Sequence, residues 1–493
     1  MKQKKIIPIF LFLLIALFFS TGCTKDYKIT ETGREAVIEP DYSGVTVPPN
    51  IAPMNFLIKE KGRSFRVIAT SKPGYKLSVR SSDGIIRFPE RSWKELLKGS
   101  EGERIEILIY SENKEKTLSR FSPFYLNVAN EPVDPYICYR LLYPGYETYS
   151  QIKIVQRNVE SFTEESVIEN QLINDNCVNC HSFNKNNPEK FLVHIRGSAG
   201  GTYFINGNKI TRTDLKTGEM TSGAVYPAWH PSGKYVTFSS NSIMQSFHSI
   251  PEKNIEVIDL ASSLVLYNVE KNEMSPIKES DSTKYLETFP EWAPDGKYLY
   301  YCRANQIIDS TDFKSIKYNL LRMSFDEQTM SFGKTEVVFD ASAISKSVSF
   351  PRISPDGQSL VFTLHDYGNF SIWHKEADLY LLNLRNNKAE KMTLNSDETE
   401  SYHSWSSNGK WLVFSSKRGD GLTARPYFAY FGSPDHVGKP FVLPQKDPAL
   451  YKRLVKTFNK PEFVTGKISL GPRDFERATK EIPVKALWAG KKK

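Results

Sequence analysis

Short apolar runs alternating with polar positions dominate the chain. Between residues 55 and 130 they read Phe56-Leu57-Ile58, Phe65-Arg66-Val67-Ile68-Ala69, Leu77-Ser78-Val79, Ile105-Glu106-Ile107-Leu108-Ile109-Tyr110 and Phe124-Tyr125-Leu126-Asn127-Val128. The period of two over 105–110 predicts a half-buried strand. Together these runs predict a small β-sandwich-like domain over 51–132, with one helical turn near Trp93–Leu97. Downstream, strand-like runs at 137–142, 152–156, 191–196 and 203–213 lead into a pattern that repeats.

The repeat is carried by four segments: Tyr226-Pro-Ala-Trp-His-Pro-Ser-Gly233, Phe289-Pro-Glu-Trp-Ala-Pro-Asp-Gly296, Phe350-Pro-Arg-Ile-Ser-Pro-Asp-Gly357 and Tyr402-His-Ser-Trp-Ser-Ser-Asn-Gly409. The glycines recur at intervals of roughly 50–60 residues, and a β-like run follows each. In such a turn Pro presets φ, Asp or Asn bonds its own backbone and Gly takes positive φ. Further strands complete each unit, for example 378–384, a turn at 385–387 and then 389–394. A unit of this length with several strands is a propeller blade, which buries its faces only by stacking in a ring. The turns Pro294-Asp295-Gly296 and Pro355-Asp356-Gly357 resemble the repeat of TolB-type propellers. Pro231-Ser232-Gly233 and Ser407-Asn408-Gly409 depart from it. The resemblance covers 220–420 strongly and 135–219 more weakly, as two degenerate blades. It implies an all-β fold: a propeller of about six blades over 133–445, preceded by the small domain. Residues 446–493 read as a C-terminal helix and basic tail, with Leu450, Leu454 and Phe458 marking an amphipathic helix over 448–460.

The first residues, MKQKKIIPIFLFLLIALFFSTGC, have a basic start and an apolar stretch too short to span a bilayer. They read as an export signal over 1–22. Ser20-Thr21-Gly22-Cys23 resembles a bacterial lipobox, which implies acylation of Cys23 and a lipidated tether over 23–50. An incidental Cys23 behind an ordinary signal is the alternative. Thr24 after the cysteine is similar to lipoproteins of the outer membrane, which implies a cell-envelope location.

Hydrophobic residues make up 40% and charged residues 25% of the 493, so the chain has material for a large core. Three of the charges behind the net +9 (Lys2, Lys4, Lys5) lie in the leader, and the rest are mixed in sign. Without a basic stripe interleaved with aromatics, nucleic acid is not an expected partner.

Candidate chemistry is concentrated in Cys177-Val178-Asn179-Cys180-His181. A C-x-x-C-H run is the attachment signature of c-type haem. On a helical turn, cysteines at i and i+3 share one side, so both thiols reach the two vinyl groups of one macrocycle. His181 then becomes the proximal iron ligand, and Asn174-Asp175-Asn176 would cap the turn. A Cys177–Cys180 disulfide, a zinc site and a redox-active thiol pair are the alternatives. Such a group is expected at the rim or mouth of the ring, partly exposed. Sixth-ligand candidates by residue type are His194, His230, His403, Met220 and Met244. A lone His on a propeller turn is more often a hydrogen-bonding residue. Cys138 and Cys302 read as buried small hydrophobes.

The segments Pro40-Asp41-Tyr42-Ser43-Gly44, 177–183 and Asn459-Lys460-Pro461-Glu462-Phe463-Val464 resemble a group of bacterial lipoproteins described as TolB-like or cytochrome-c-like. Hydrolase, P-loop, dinucleotide and H-E-x-x-H motifs are missing, so an enzyme acting in the mouth has no residue-level support. Two functions are therefore expected to compete. One is a lipid-anchored propeller with one haem c, acting in electron transfer or redox sensing with an envelope redox partner. The other is a non-enzymatic scaffold that binds an envelope protein or glycan, with Cys177–Cys180 a disulfide and no haem.

Overall fold

A computed structural model describes residues 29–145, 150–217, 220, 222–248, 253 and 255–490, with the Cys180 side chain excepted. The expected export signal and Cys23 lie outside the described residues.

Six sheets form the ring. Blade I consists of 457–464, 136–142, 153–158 and 164–169, from the axis outward. Blade II runs 177–183, 190–196, 201–206 and 209–214. Blade III runs 224–229, 235–247, 255–268 and 273–276. Blade IV runs 285–292, 298–305, 319–326 and 331–339, and blade V runs 347–353, 359–365, 378–383 and 388–391. Blade VI runs 400–405, 411–416 and 425–433, with short strands at 436–437 and 441–442. The inner strands touch in the order I to VI and back to I, which closes the circle.

Closure corrects one expectation. Helix is found in 448–460 only over Leu450–Arg453, and Thr457–Val464 is the inner strand of blade I, paired antiparallel with Tyr136–Leu142. The first and last strands of the propeller thus share a blade, and the propeller extends past residue 445.

The repeated turns work as their chemistry dictates. Asp295 Oδ1 accepts from Lys297 N at 2.9 Å, Asp356 Oδ1 from Gln358 N at 3.0 Å and Asn408 Oδ1 from Lys410 N at 3.0 Å. Gly233, Gly296, Gly357 and Gly409 all have φ near +70°. In three of the four units a tryptophan before the turn stitches its blade to the preceding one, Ile353 standing there in the fourth. Trp229 Nε1 donates to Ser182 O, Trp292 Nε1 to Thr237 Oγ1 and Trp405 Nε1 to Arg352 O, each at 3.1 Å.

Each of five inner strands also carries a left-handed non-glycine residue: Tyr226, Phe289, Phe350, Tyr402 and Lys460, at φ 47–51°. The ladder slips by a residue at each of these points. Such backbone costs about 1–2 kcal/mol per residue. Burial of the aromatic rings offsets it. The rings of Tyr226, Phe289, Phe350 and Tyr402 meet at 4.5, 4.0 and 4.8 Å between centroids and plug the axis.

The small domain pairs a seven-stranded sheet with a three-stranded one. Helix Glu90–Lys98 buries Trp93, Leu96 and Leu97 against them. The expected tether is corrected over its described part. Ile29–Glu35 is a strand along 118–122, and Tyr42, Val45 and Val47 are core residues. Isolated apolar residues between turns were enough to anchor this stretch. Its core is continuous with Trp411, Phe428 and Phe463 of blades VI and I. At the other end, 484–485 and 487–488 add parallel strands to the outer edges of blades II and III, which caps two open edges.

Candidate functional site at the propeller mouth

Cys177 to Phe183 is the inner strand of blade II, not a helical turn. Asn174 and Asn176 do not cap it. Asn174, at φ +56°, ends the preceding short helix Asn170–Ile173, and the Asn176 side chain bonds back to Ile173 O. Strand 190–196 beside it imposes the extended conformation, pairing Cys177 with Arg196 and Phe183 with Phe191. Between Val178 and His181 the register slips, as in the other blades. Asn179-Cys180-His181 therefore occupies the positions of Tyr226-Pro227-Ala228 in blade III and Phe289-Pro290-Glu291 in blade IV. Pro227 and Pro290, the counterparts of Cys180, both line the mouth of the ring, and so do Cys177, Asn179 and His181.

The His181 ring is 1% exposed, and neither of its nitrogens has a hydrogen-bond partner. Its nearest charged neighbour is Glu462 of blade I, with Nε2 to Oε1 at 3.9 Å. Lys460 Nζ pairs with Glu462 at 3.1 Å and donates to His181 O. Burial pushes the imidazole down to about 4, against the pull of Glu462, so it is neutral at physiological pH. Burial raises the Glu462 carboxyl, but Lys460, His181 and Arg352 outweigh this and hold it below the usual range. A neutral, buried imidazole with its one nitrogen lone pair open is the donor that a metal needs, and a buried polar atom without a partner asks for an explanation.

The mouth holds ≈ 1310 Å³ of empty space, counting the part open to solvent. Its floor is the aromatic plug. Arg140 and Arg196 stand on the side of blades I and II, and Phe370, Ile372 and Trp373 on that of blade V. Of the residues a haem would need, Cys177 and the orphaned His181 imidazole stand on the same mouth wall, carried by a strand rather than by a helical turn.

The five sixth-ligand candidates are all absent from the mouth lining. His230 bonds Ser232 Oγ at 2.7 Å and Gly296 O at 3.1 Å, His403 Nε2 bonds Val361 O at 2.8 Å, and His194 lies 3.2 Å from Thr202 Oγ1. Met220 is buried in blade III's core and Met244 is half exposed. Cys138 and Cys302 are buried free thiols, as expected. Among the described residues no three His, Cys, Asp or Glu side chains form a metal cluster, and no helix is long and apolar enough to cross a membrane.

Two features escaped the sequence. Strands 235–247 and 255–268 of blade III run past the ring, and Ile243, Gln245, Ile255 and Val257 overhang the mouth. Buried Asp259 fixes this hairpin by accepting from Asn241, Tyr318 and Asn369. Lys253 bonds Tyr367 OH at 2.7 Å and lies 3.2 Å from His374 Nε2, on blade V. The apolar-rich stretch 255–267, longer than the other strand-like runs though broken by Glu256 and Asp259, was the available signal. The second feature is an opening at the opposite, turn-bearing end, walled by Trp229, Trp292 and Trp405 over Glu291, Arg352 and Glu462.

No family model and no curated protein matches the chain. Similar solved structures include Kuenenia stuttgartiensis hydrazine synthase, 13% identical with a TM-score of 0.32, over 52% of this chain and 64% of that one. Prolyl oligopeptidase B from Galerina marginata is 11% identical with a TM-score of 0.33, over 68% and 43%. The Cps50 (Swd1) β-propeller domain of Myceliophteria thermophila is 8% identical with a TM-score of 0.33, over 64% and 91%. The chain spans less than two thirds of the first two. All three are likenesses of fold, and the chain is an all-β protein built on a propeller.

Proposed function

We propose that this is an exported, lipid-anchored propeller that carries one haem c in its mouth and acts in electron transfer or redox sensing. The observation that carries the reading is His181, buried and neutral with both ring nitrogens unpartnered, beside Cys177 on the mouth wall. Cys177 and Cys180 would hold the group covalently and His181 would ligate the iron. When bound, haem supplies reversible one-electron chemistry. The chain's own part is to keep His181 deprotonated by burial, to exclude water with the aromatic floor, and to fix the His181 strand through the Lys460 bond to its carbonyl. Acylation of Cys23 would tether the protein to the envelope membrane, where a redox protein is the expected partner.

The test is expression with a c-type haem-attachment system. The expected product has a Soret band and a mass gain of one haem, and Cys177→Ser and Cys180→Ser each weaken retention. A colourless chain of unmodified mass overturns the reading. It would favour the scaffold reading, in which the ring binds an envelope protein or glycan. The second opening, walled by three tryptophans, supports that alternative.

A further inference from the structure

The mouth has two chemically different walls. Blades III to V and the overhanging hairpin present mainly carbon, from Ile255, Val257, Phe289, Phe350, Ile372 and Trp373, with Gln245 and Arg352 as polar exceptions, and Arg352 is already paired with Glu291 at 2.9 Å. Blades I and II present cations. Arg140 comes from strand 136–142, and Arg196 ends strand 190–196 directly across from Cys177. Lys460 is nearby, but Glu462 already answers its charge.

The two arginines have no such answer. Arg140 makes one side-chain hydrogen bond, Nη1 to the neutral Asn179 Oδ1 at 2.8 Å, and its buried Nε has no acceptor. Among the described residues neither arginine is paired with a carboxylate. The half-buried Arg140 guanidinium, withdrawn from water without an anion, is costly, whereas Arg196 is exposed and hydrated, and planar forks of this kind recognise carboxylates in particular. An aromatic and aliphatic wall facing two unanswered guanidinium groups selects a ligand that is apolar along its body and anionic at one edge.

We propose that Arg140 and Arg196 form a carboxylate clamp for such a ligand, whose apolar body lies against the wall of blades III to V. The inference rests on the mouth being a ligand site, as in the proposed function. The carboxylates have two sources: those of the tetrapyrrole held at Cys177, Cys180 and His181, or that of a free apolar organic acid.

The test uses the full chain made without haem-attachment machinery. It is titrated with protoporphyrin IX, with protoporphyrin dimethyl ester and with palmitate, and binding is followed by calorimetry. The clamp predicts that an acid binds and that Arg140→Gln and Arg196→Gln each weaken it roughly tenfold, while the ester is indifferent to both. Arginine-dependent binding of protoporphyrin assigns the clamp to the tetrapyrrole, and arginine-dependent binding of palmitate alone assigns it to a free acid. If neither acid binds, if diacid and ester bind equally, or if both variants bind like the parent, the proposal is overturned. Arg196 is exposed and ends its strand, so Arg196→Gln, with Arg196→Lys as a charge-retaining control, decides the matter if Arg140→Gln fails to fold. A chain that never gains haem mass yet binds palmitate through these arginines loses the haem reading and keeps the clamp.

Discussion

His403 stands where four other inner strands carry proline, at Pro227, Pro290, Pro351 and Pro461, and its Nε2 bonds Val361 O. Burial depresses its pKa to about 3. Below pH 6.5 the unfolded chain takes up a proton that the folded chain refuses, so stability is lost as pH falls from 6.5 toward 3. At pH 5 this one group costs about 2 kcal/mol. His194, depressed to about 3, acts in the same direction. The urea midpoint is therefore expected to fall between pH 7 and pH 5. His403→Gln, which keeps a donor for Val361, is expected to show a shallower fall. At this scale the sequence singled out a candidate run but not its geometry. The C-x-x-C-H run was legible from residue identity alone. Its conformation was not, because the strand is imposed by pairing with 190–196, a neighbour that local spacing does not reveal.

Among the elements, the four turns ending in Gly233, Gly296, Gly357 and Gly409 were readable because their backbone needs a few specific residue types. The C-terminal inner strand was misread, since Leu450, Leu454 and Phe458 are spaced like a helix face. The signal that would have found it is Lys460-Pro461-Glu462-Phe463, which matches Phe289-Pro290-Glu291-Trp292 position for position. A chain ending at residue 456 is expected to lose its cooperative thermal transition. One ending at residue 480, which gives up only the edge strands 484–485 and 487–488, should melt within a few degrees of the parent. In the small domain, Trp93 is fully buried and donates to Ile51 O at 3.1 Å. Trp93→Ala should cost about 3–5 kcal/mol in denaturant titration.

At the scale of the whole ring, blades IV and V are joined near the axis by Arg352 Nη1 and Glu291 Oε2 at 2.9 Å. Burial raises the Glu291 carboxyl, and Arg352 pulls it back. Arg352→Met strands a buried carboxylate and should cost about 3–5 kcal/mol, while adding Glu291→Gln should recover much of that loss. A double-mutant cycle on unfolding free energies reads the coupling directly. Blade I carries a different consequence. It cannot be completed until strand 457–464 has been synthesised, more than 300 residues after its partner 136–142. Until then its apolar edge and those of its neighbours are open to the wrong partners, so a nascent chain is exposed to misassembly. Once the last strand docks, the same arrangement ties the start of the ring to its finish. Opening the ring at this seam then means breaking a blade rather than peeling one away.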